Sequence, residues 1–179
     1  MDLLIQRFNP RVLCLKETCV KAVNTSFFRK YSFYYIIGSV TENKASGGVI
    51  FMVNTSVPHS DVRLNTKLQA VAIRASPPKT ITIFTIYLPP SLHWETKRLE
   101  VLIAQLPPPF ILMGFFNAHR SLWGCDLTDK KKKHMEDLRI INNLSLFNTK
   151  SITSIHPGTG KQTTLDLTIT NPTLLLDWT

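Results

Sequence analysis

The sequence predicts a mixed α/β or α+β domain built on stacked β-sheets, and three observations lead there. Short apolar runs rich in Val, Ile, Phe and Tyr recur along the chain, with the length and composition of strands rather than helices. Clusters such as Gly47-Gly48, Pro77-Pro78 and Pro107-Pro108-Pro109 separate them, supplying the turn chemistry that strands need at their ends. Among the later runs lie two stretches whose apolar residues recur at three and four, the spacing of one helical face. Many strands with two interspersed helices must stack in layers to bury their apolar faces. With 179 residues, 44% of them hydrophobic and 18% charged, and no internal repeat or linker, the chain reads as a single domain over 1–179.

In chain order, Asn9-Pro10 turns into a first strand over 11–15, which runs out at Lys16-Glu17-Thr18 and so delivers a carboxylate at its C-terminal end. Residues 33–37 are aromatic and β-branched and close at Gly38, and Ser46-Gly47-Gly48 opens a third strand over 49–53. Strands over 68–74 and 80–88 flank a Ser76-Pro-Pro-Lys79 turn. In the second of these, Ile81, Ile83, Thr85 and Tyr87 fall on one face and Thr82, Phe84, Ile86 and Leu88 on the other, so both faces are covered.

Ser91 is placed to cap a helix over 94–106, in which Leu99, Leu102, Ile103 and Leu106 share a stripe that Pro107 stops. A short core strand over 110–113 follows. Asp126-Leu-Thr-Asp129 offers the cap for a second helix over 130–145, with Met135, Leu138, Ile141 and Leu144 as its apolar positions. Residues 146–148 begin another strand, 156–160 form a turn, and 163–170 alternate, with Leu165, Leu167 and Ile169 on one face and Asp166 on the other.

A net charge of +9, from 21 Lys and Arg against 12 Asp and Glu, suits a polyanionic partner, nucleic acid before an anionic membrane. Lys130-Lys-Lys-Lys133 falls in a first helical turn, where the dipole disfavours cations; it reads as a solvated face, with nucleic-acid contact as the alternative. Cys14, Cys19 and Cys125 are odd in number and lack a C-x-x-C spacing, which indicates neither a disulfide framework nor a zinc site and points to a reducing, intracellular compartment. The first residues carry no secretory signal pattern, and no apolar run is long enough to cross a membrane.

The stretch with most chemical promise is Phe110-Ile-Leu-Met-Gly-Phe-Phe-Asn-Ala-His-Arg-Ser-Leu-Trp-Gly124. It switches from apolar to polar just past Gly114 and presents Asn117, His119 and Trp123 beyond a buried strand, where sites tend to form. Glu17, Tyr87, Asn117 and Asp166 all lie in or just beyond strands, and a layered fold can bring them to one rim. Each also has a purely structural reading: Glu17 as a surface carboxylate, Tyr87 as a packed aromatic, Asp166 as a turn or edge residue, His119 as a loop-stabilising hydrogen bond.

The ordered set Leu15-Lys-Glu-Thr18, Gly47-Gly48, Leu68-Gln-Ala-Val-Ala-Ile73, Tyr87-Leu-Pro-Pro-Ser91, Gly114-x-Phe-Asn-Ala-His119, Leu122-Trp-Gly124 and Thr164-Leu-Asp-Leu-Thr168 resembles the endonuclease domain of jockey-type non-LTR retrotransposons. That domain belongs to the endonuclease/exonuclease/phosphatase superfamily, and the likeness runs from about Pro10 to Trp178. The resemblance implies a four-layer sandwich of two packed mixed sheets flanked by helices. It implies a divalent-metal phosphodiesterase that nicks target DNA to prime reverse transcription, in the nucleus where it functions. It also implies Mg²⁺ or Mn²⁺ held by Glu17, phosphate oxygens held by Tyr87 and Asn117, and a histidine-orienting role for Asp166. His119 and Trp123 match the pattern without an assigned role.

Three departures accompany the resemblance. Gly114-Phe115-Phe116-Asn117 stands where the family has Gly-Asp-Phe-Asn, and phenylalanine accepts no proton and binds no metal. The family continues past the tryptophan matching Trp178 to a Ser-Asp-His motif, and its domains begin with a strand carrying an asparagine that residues 1–9 do not show, so the sandwich is expected to be truncated at both chain ends. The leading expectation is therefore an endonuclease domain that is inactive or strongly impaired. The alternatives are a basic nucleic-acid-binding remnant, a relic without function, and a phosphoesterase acting on a small molecule.

Overall fold

The computed structural model describes residues 2–76, 78–89, 92, 96–115, 130–147, 152–155, 158, 160, 162–163 and 166–175. Helix α1 (Asp2–Phe8) leads into β1 (Val12–Lys16), followed by β2 (Tyr31–Ile36), β3 (Ser39–Val40), β4 (Ala45–Ser46) and β5 (Val49–Asn54). Next come β6 (His59–Val62), β7 (Gln69–Ala75), β8 (Ile81–Tyr87), α2 (Thr96–Ile103) and β9 (Phe110–Phe115). The chain continues through α3 (Lys130–Ile141), β10 (Ser145–Leu146), β11 (Ser154–Ile155), β12 (Gln162–Thr163), β13 (Asp166–Thr170) and α4 (Pro172–Leu175).

Two sheets dominate: three strands in the order β1-β5-β2, and six in the order β10-β13-β9-β8-β7-β6. Their pairing is antiparallel except between β8 and β9, which α2 joins as the crossover that parallel strands need. The two faces of β8 divide as its alternation predicts. Ile81, Ile83 and Tyr87 pack with Val49, Phe51, Val53 and Ile73 between the sheets. Phe84, Ile86 and Leu88 pack with Leu99, Leu102 and Ile103 of α2 and with Met135 and Leu138 of α3.

The outer face of the small sheet is covered differently. There Ile50 and Met52 pack against Ile5 of α1 and against Val20, Val23 and Phe28 from the segment between β1 and β2. The result is four layers, with α2 and α3 on one side and α1 with an irregular segment on the other. Arg74 braces the far end of the large sheet, donating to Thr82 Oγ1 at 2.8 Å and to Pro107 O at 2.8 Å, which ties the approach to β9 to its neighbours.

The structure corrects several expectations. Residues 2–8, for which no element was expected, are helical. The second helix stops at Ile141, not 145, because Asn143 adopts a left-handed φ of 48° and closes the end in a Schellman motif, with Leu144 N donating to Arg139 O and Asn143 N to Ile140 O. Ile141 is therefore 66% exposed, while Leu144 beyond the reversal is buried. The strand expected over 163–170 is divided between two sheets: β12 pairs with β11, and β13 pairs with β9 and β10. The strand expected from 146 is β10, pairing one residue earlier, and its last expected residue, Asn148, lies outside the described residues along with Ser91 and the cap at 126–129. Strand β6 was not legible because His59-Ser60-Asp61-Val62 is mostly polar, as suits an edge strand.

Candidate active site

Four strands of the large sheet align one residue each into a row at one end. Gln69 pairs with Tyr87, Tyr87 with Phe115, and Phe115 with Asp166. Facing this row is the end of β1, where Lys16 pairs with Val49 and Glu17 follows. Side-chain contacts between charged and polar groups cross here from one sheet to the other. The Tyr87 hydroxyl donates to Glu17 Oε1 at 3.1 Å, and Lys16 Nζ meets Asp166 Oδ1 at 2.6 Å.

The turn that presents Glu17 is conformationally costly. Glu17 and Cys19 have φ values of 52° and 49°, a left-handed region that disfavours residues with a Cβ by about 1–2 kcal/mol each. The turn is held by the loop before β5: Thr18 N donates to Gly48 O at 3.3 Å and Cys19 N to Gly47 O at 2.8 Å. Gly48 N in turn donates to Gln69 Oε1 at 2.6 Å. A Cβ on Gly47, whose φ is 73°, would lie 2.5 Å from Gln69 Oε1 and 3.0 Å from Tyr87 Cε1. Gln69 thus links the row to the loop, and the loop positions Glu17.

The electrostatics follow from this placement. Burial, reinforced by the charge and hydrogen bond of Glu17, pushes the Tyr87 hydroxyl up to about 12, so at physiological pH it is a neutral donor. Burial also pushes the Cys14 thiol up, which keeps this inter-sheet cysteine from acting as a thiolate. Glu17 is exposed and Tyr87 buried; one Glu17 oxygen holds the phenol, and the other has no partner among the described residues.

That donor set suits a hard divalent cation. Mg²⁺ keeps several waters and needs only one or two carboxylates, and among the described residues no group of three His, Cys, Asp or Glu side chains is placed to hold a metal ion of any kind, so Glu17 would act with waters rather than as part of a protein cage. The Thr18 hydroxyl beside Glu17 is buried without a hydrogen-bond partner among the described residues, a second oxygen held at the same turn.

Of the residues singled out in the sequence, the structure brings Glu17, Tyr87 and Asp166 to one rim. Asn117, His119 and Trp123 lie outside the described residues. Two participants were missed, Lys16 and Gln69. The signal for Gln69 was a lone amide opening an otherwise apolar strand, and the signal for Lys16 was a cation next to the proposed ligand.

Comparison with known proteins decides the family. The endonuclease-reverse transcriptase family matches residues 81–179, more than half of the chain. The chain belongs to the endonuclease-reverse transcriptase family. Among curated proteins it is 24% identical over 135 residues to a probable RNA-directed DNA polymerase from transposon X-element of Drosophila melanogaster, a match covering 73% of this chain and 15% of the relative's length. Among solved structures it is similar to the endonuclease domain of TRAS1, a telomere-specific non-LTR retrotransposon, with a TM-score of 0.73 at 16% identity over 97% of this chain and 78% of that one. It is also similar to the 3′ phosphatase NExo from Neisseria bound to a product DNA hairpin, with a TM-score of 0.70 at 12% identity over 98% and 81%. A third likeness is to D. rerio TDP2 complexed with a single-strand DNA product, with a TM-score of 0.54 at 15% identity over 96% and 76%. These neighbours carry the fold, that of the endonuclease/exonuclease/phosphatase type, and the family match agrees with it.

Proposed function

We propose that this domain binds DNA across the Glu17–Tyr87 rim, is built for Mg²⁺- or Mn²⁺-dependent phosphodiester hydrolysis, and is inactive or strongly impaired because of Phe115. The reading is carried by the contact between Tyr87 and Glu17 at the end of the strand row. DNA in two of the neighbouring structures and the net charge of +9 support the choice of substrate, which would place its action in the nucleus.

Glu17 would hold the cation through its uncommitted oxygen. When bound, the cation polarises the scissile phosphate and stabilises charge on the leaving oxygen. Tyr87 donates to Glu17 and fixes the orientation of the carboxylate. Lys16 neutralises Asp166 and keeps a second bare carboxylate from crowding the rim. Phe115 occupies the register position between Tyr87 and Asp166, where the family pattern has aspartate. Without a proton acceptor there, activation of the attacking water is lost, and the rate falls roughly 10²- to 10⁴-fold.

The test is nicking of supercoiled plasmid with Mg²⁺. The native chain is expected to nick no faster than Glu17→Ala while still binding the DNA. Robust metal-dependent nicking that Glu17→Ala abolishes would overturn the impairment; absence of DNA binding would overturn the nuclease reading itself.

A further inference from the structure

A cavity of about 440 Å³ lies beside the rim, lined by Asn65, Thr66, Lys67, Leu68, Lys97, Arg98 and Val101. One wall is the segment between β6 and β7, the other is α2. Both walls start from the rim end of the sheet and lead away from it: Leu68 immediately precedes Gln69, the register partner of Tyr87, and α2 follows β8 from that same end and runs back towards Phe110, the register partner of Thr82.

The two walls are braced together. Gln105, just past α2, accepts from Asn65 N at 2.7 Å and donates to Asn65 O at 3.4 Å. Gln105 also donates to Val101 O at 3.0 Å, and Leu68 N donates to Thr66 Oγ1 at 3.1 Å. The segment therefore holds its place along the helix through paired amide contacts.

Among the described residues the charges in this groove have no counterions. Lys67, Lys97 and Arg98 are exposed, none makes a hydrogen bond or ion pair among the described residues, and no acidic side chain is among the lining residues. Three unneutralised cations on a braced surface repel one another, and a polyanion relieves that repulsion while releasing its own counterions. The floor is apolar, with Val101 58% exposed and Leu68 half-buried, which suits sugar or base edges under a phosphate chain.

We propose that this groove is a phosphodiester-backbone subsite in which Lys67, Lys97 and Arg98 hold the nucleic-acid strand that runs away from the Glu17–Tyr87 rim. The proposal rests on the nuclease reading above and names the surface on which the substrate's flanking strand lies. The shared chemistry is the phosphate backbone, and single-stranded and duplex probes distinguish its source.

The experiment measures fluorescence anisotropy of a labelled single strand and a labelled duplex against the native chain, in EDTA, over a series of salt concentrations. It compares a Lys67→Ala, Lys97→Ala, Arg98→Ala triple variant with an Arg29→Ala, Lys30→Ala, Lys79→Ala triple variant. The second set removes equal charge at the opposite end of the strands, since Arg29 and Lys30 lead into Tyr31, which pairs with Asn54, and Lys79 leads into Ile81, which pairs with Ala75. The groove variant is expected to weaken binding about tenfold or more and to flatten the salt slope by about 2 to 3, at 0.7 to 0.9 per phosphate; the distal variant is expected to leave the slope unchanged.

Equal losses in the two triple variants, or no loss in the groove variant, would overturn the subsite and leave the nuclease reading standing. Failure of the native chain to bind either probe would sink both. Should the alanine triple unfold, Lys67→Gln, Lys97→Gln and Arg98→Gln keep the aliphatic cover over Leu68 and Val101 and carry the same comparison.

Discussion

Tyr87 reaches from the large sheet to donate its phenolic hydrogen to Glu17 at the end of the small one, 3.1 Å away. This single contact joins the buried row of the large sheet to the exposed carboxylate of a strained turn, and it makes the rim sensitive to alkali. The Tyr87 pKa, pushed up from 10.0 to about 12, exceeds the unfolded value, so the unfolded chain loses this proton first. The resulting stability is complete below pH 10.0 and is lost as pH rises towards about 12, an effect of roughly 2–3 kcal/mol at most.

Glu17→Gln should lower the Tyr87 titration towards its ordinary value without reaching it, because burial, the first cause of the shift, remains. The measurement is the tyrosinate absorbance step assigned by difference from Tyr87→Phe. An unmoved step in Glu17→Gln would mean that the two side chains do not interact in solution.

Lys16 and Asp166 clamp the sheets at the same end, with side chains 17% and 33% exposed. A double-mutant cycle with Lys16→Met and Asp166→Asn, read by denaturant unfolding, is expected to give a coupling of about 1 kcal/mol that weakens only modestly with salt. Zero coupling would remove the pair from the account of how the rim is held.

Two glycines separate space from backbone conformation. A Cβ on Gly38 would lie 2.0 Å from Ser46 O and 2.8 Å from Gly48 N, whereas one on Gly160, with φ 66°, would meet nothing within 4 Å. Gly38→Ala must displace backbone at the loop that positions Glu17, and it is expected to cost on the order of 2–4 kcal/mol, against about 1 kcal/mol for Gly160→Ala. Thermal melts that place the two variants in the opposite order would contradict the packing of the 38–48 loop.

Phe115→Asp returns a proton acceptor to the position between Tyr87 and Asp166. Plasmid nicking with Mg²⁺ is expected to rise by about 10²-fold or more and to vanish again when Glu17→Ala is added. If Phe115→Asp nicks no faster than the native chain, Phe115 is not what limits activity.

Much of this protein was legible in its residues. The alternation of β8 divided its side chains into the two sets that the structure buries on opposite faces, because a pleated strand turns successive residues to opposite sides whatever surrounds it; which set meets the helices only the packing decided. The stripe of Leu99, Leu102, Ile103 and Leu106 predicted the buried side of α2 for the equivalent helical reason. The ordered motifs were enough to indicate the family, and they singled out Glu17, Tyr87 and Asp166, which the structure places at one rim, together with Asn117 and His119, which lie outside the described residues.

What local pattern cannot carry is a relationship between distant segments. That Lys16 pairs with Asp166, that Gln69 holds Gly48 and through it the turn at Glu17, and that Lys67 shares a groove with Lys97 and Arg98 all depend on strand register and on how the two sheets stack. The left-handed backbone at Glu17 and Cys19 is of the same kind. Neither residue prefers that conformation, and only contacts formed after the sheets have packed offset its cost. The long core strands, the family and the chemistry available could be read from the residues alone. The tertiary structure decided which of those groups meet, because register and sheet packing sum small preferences over the whole chain.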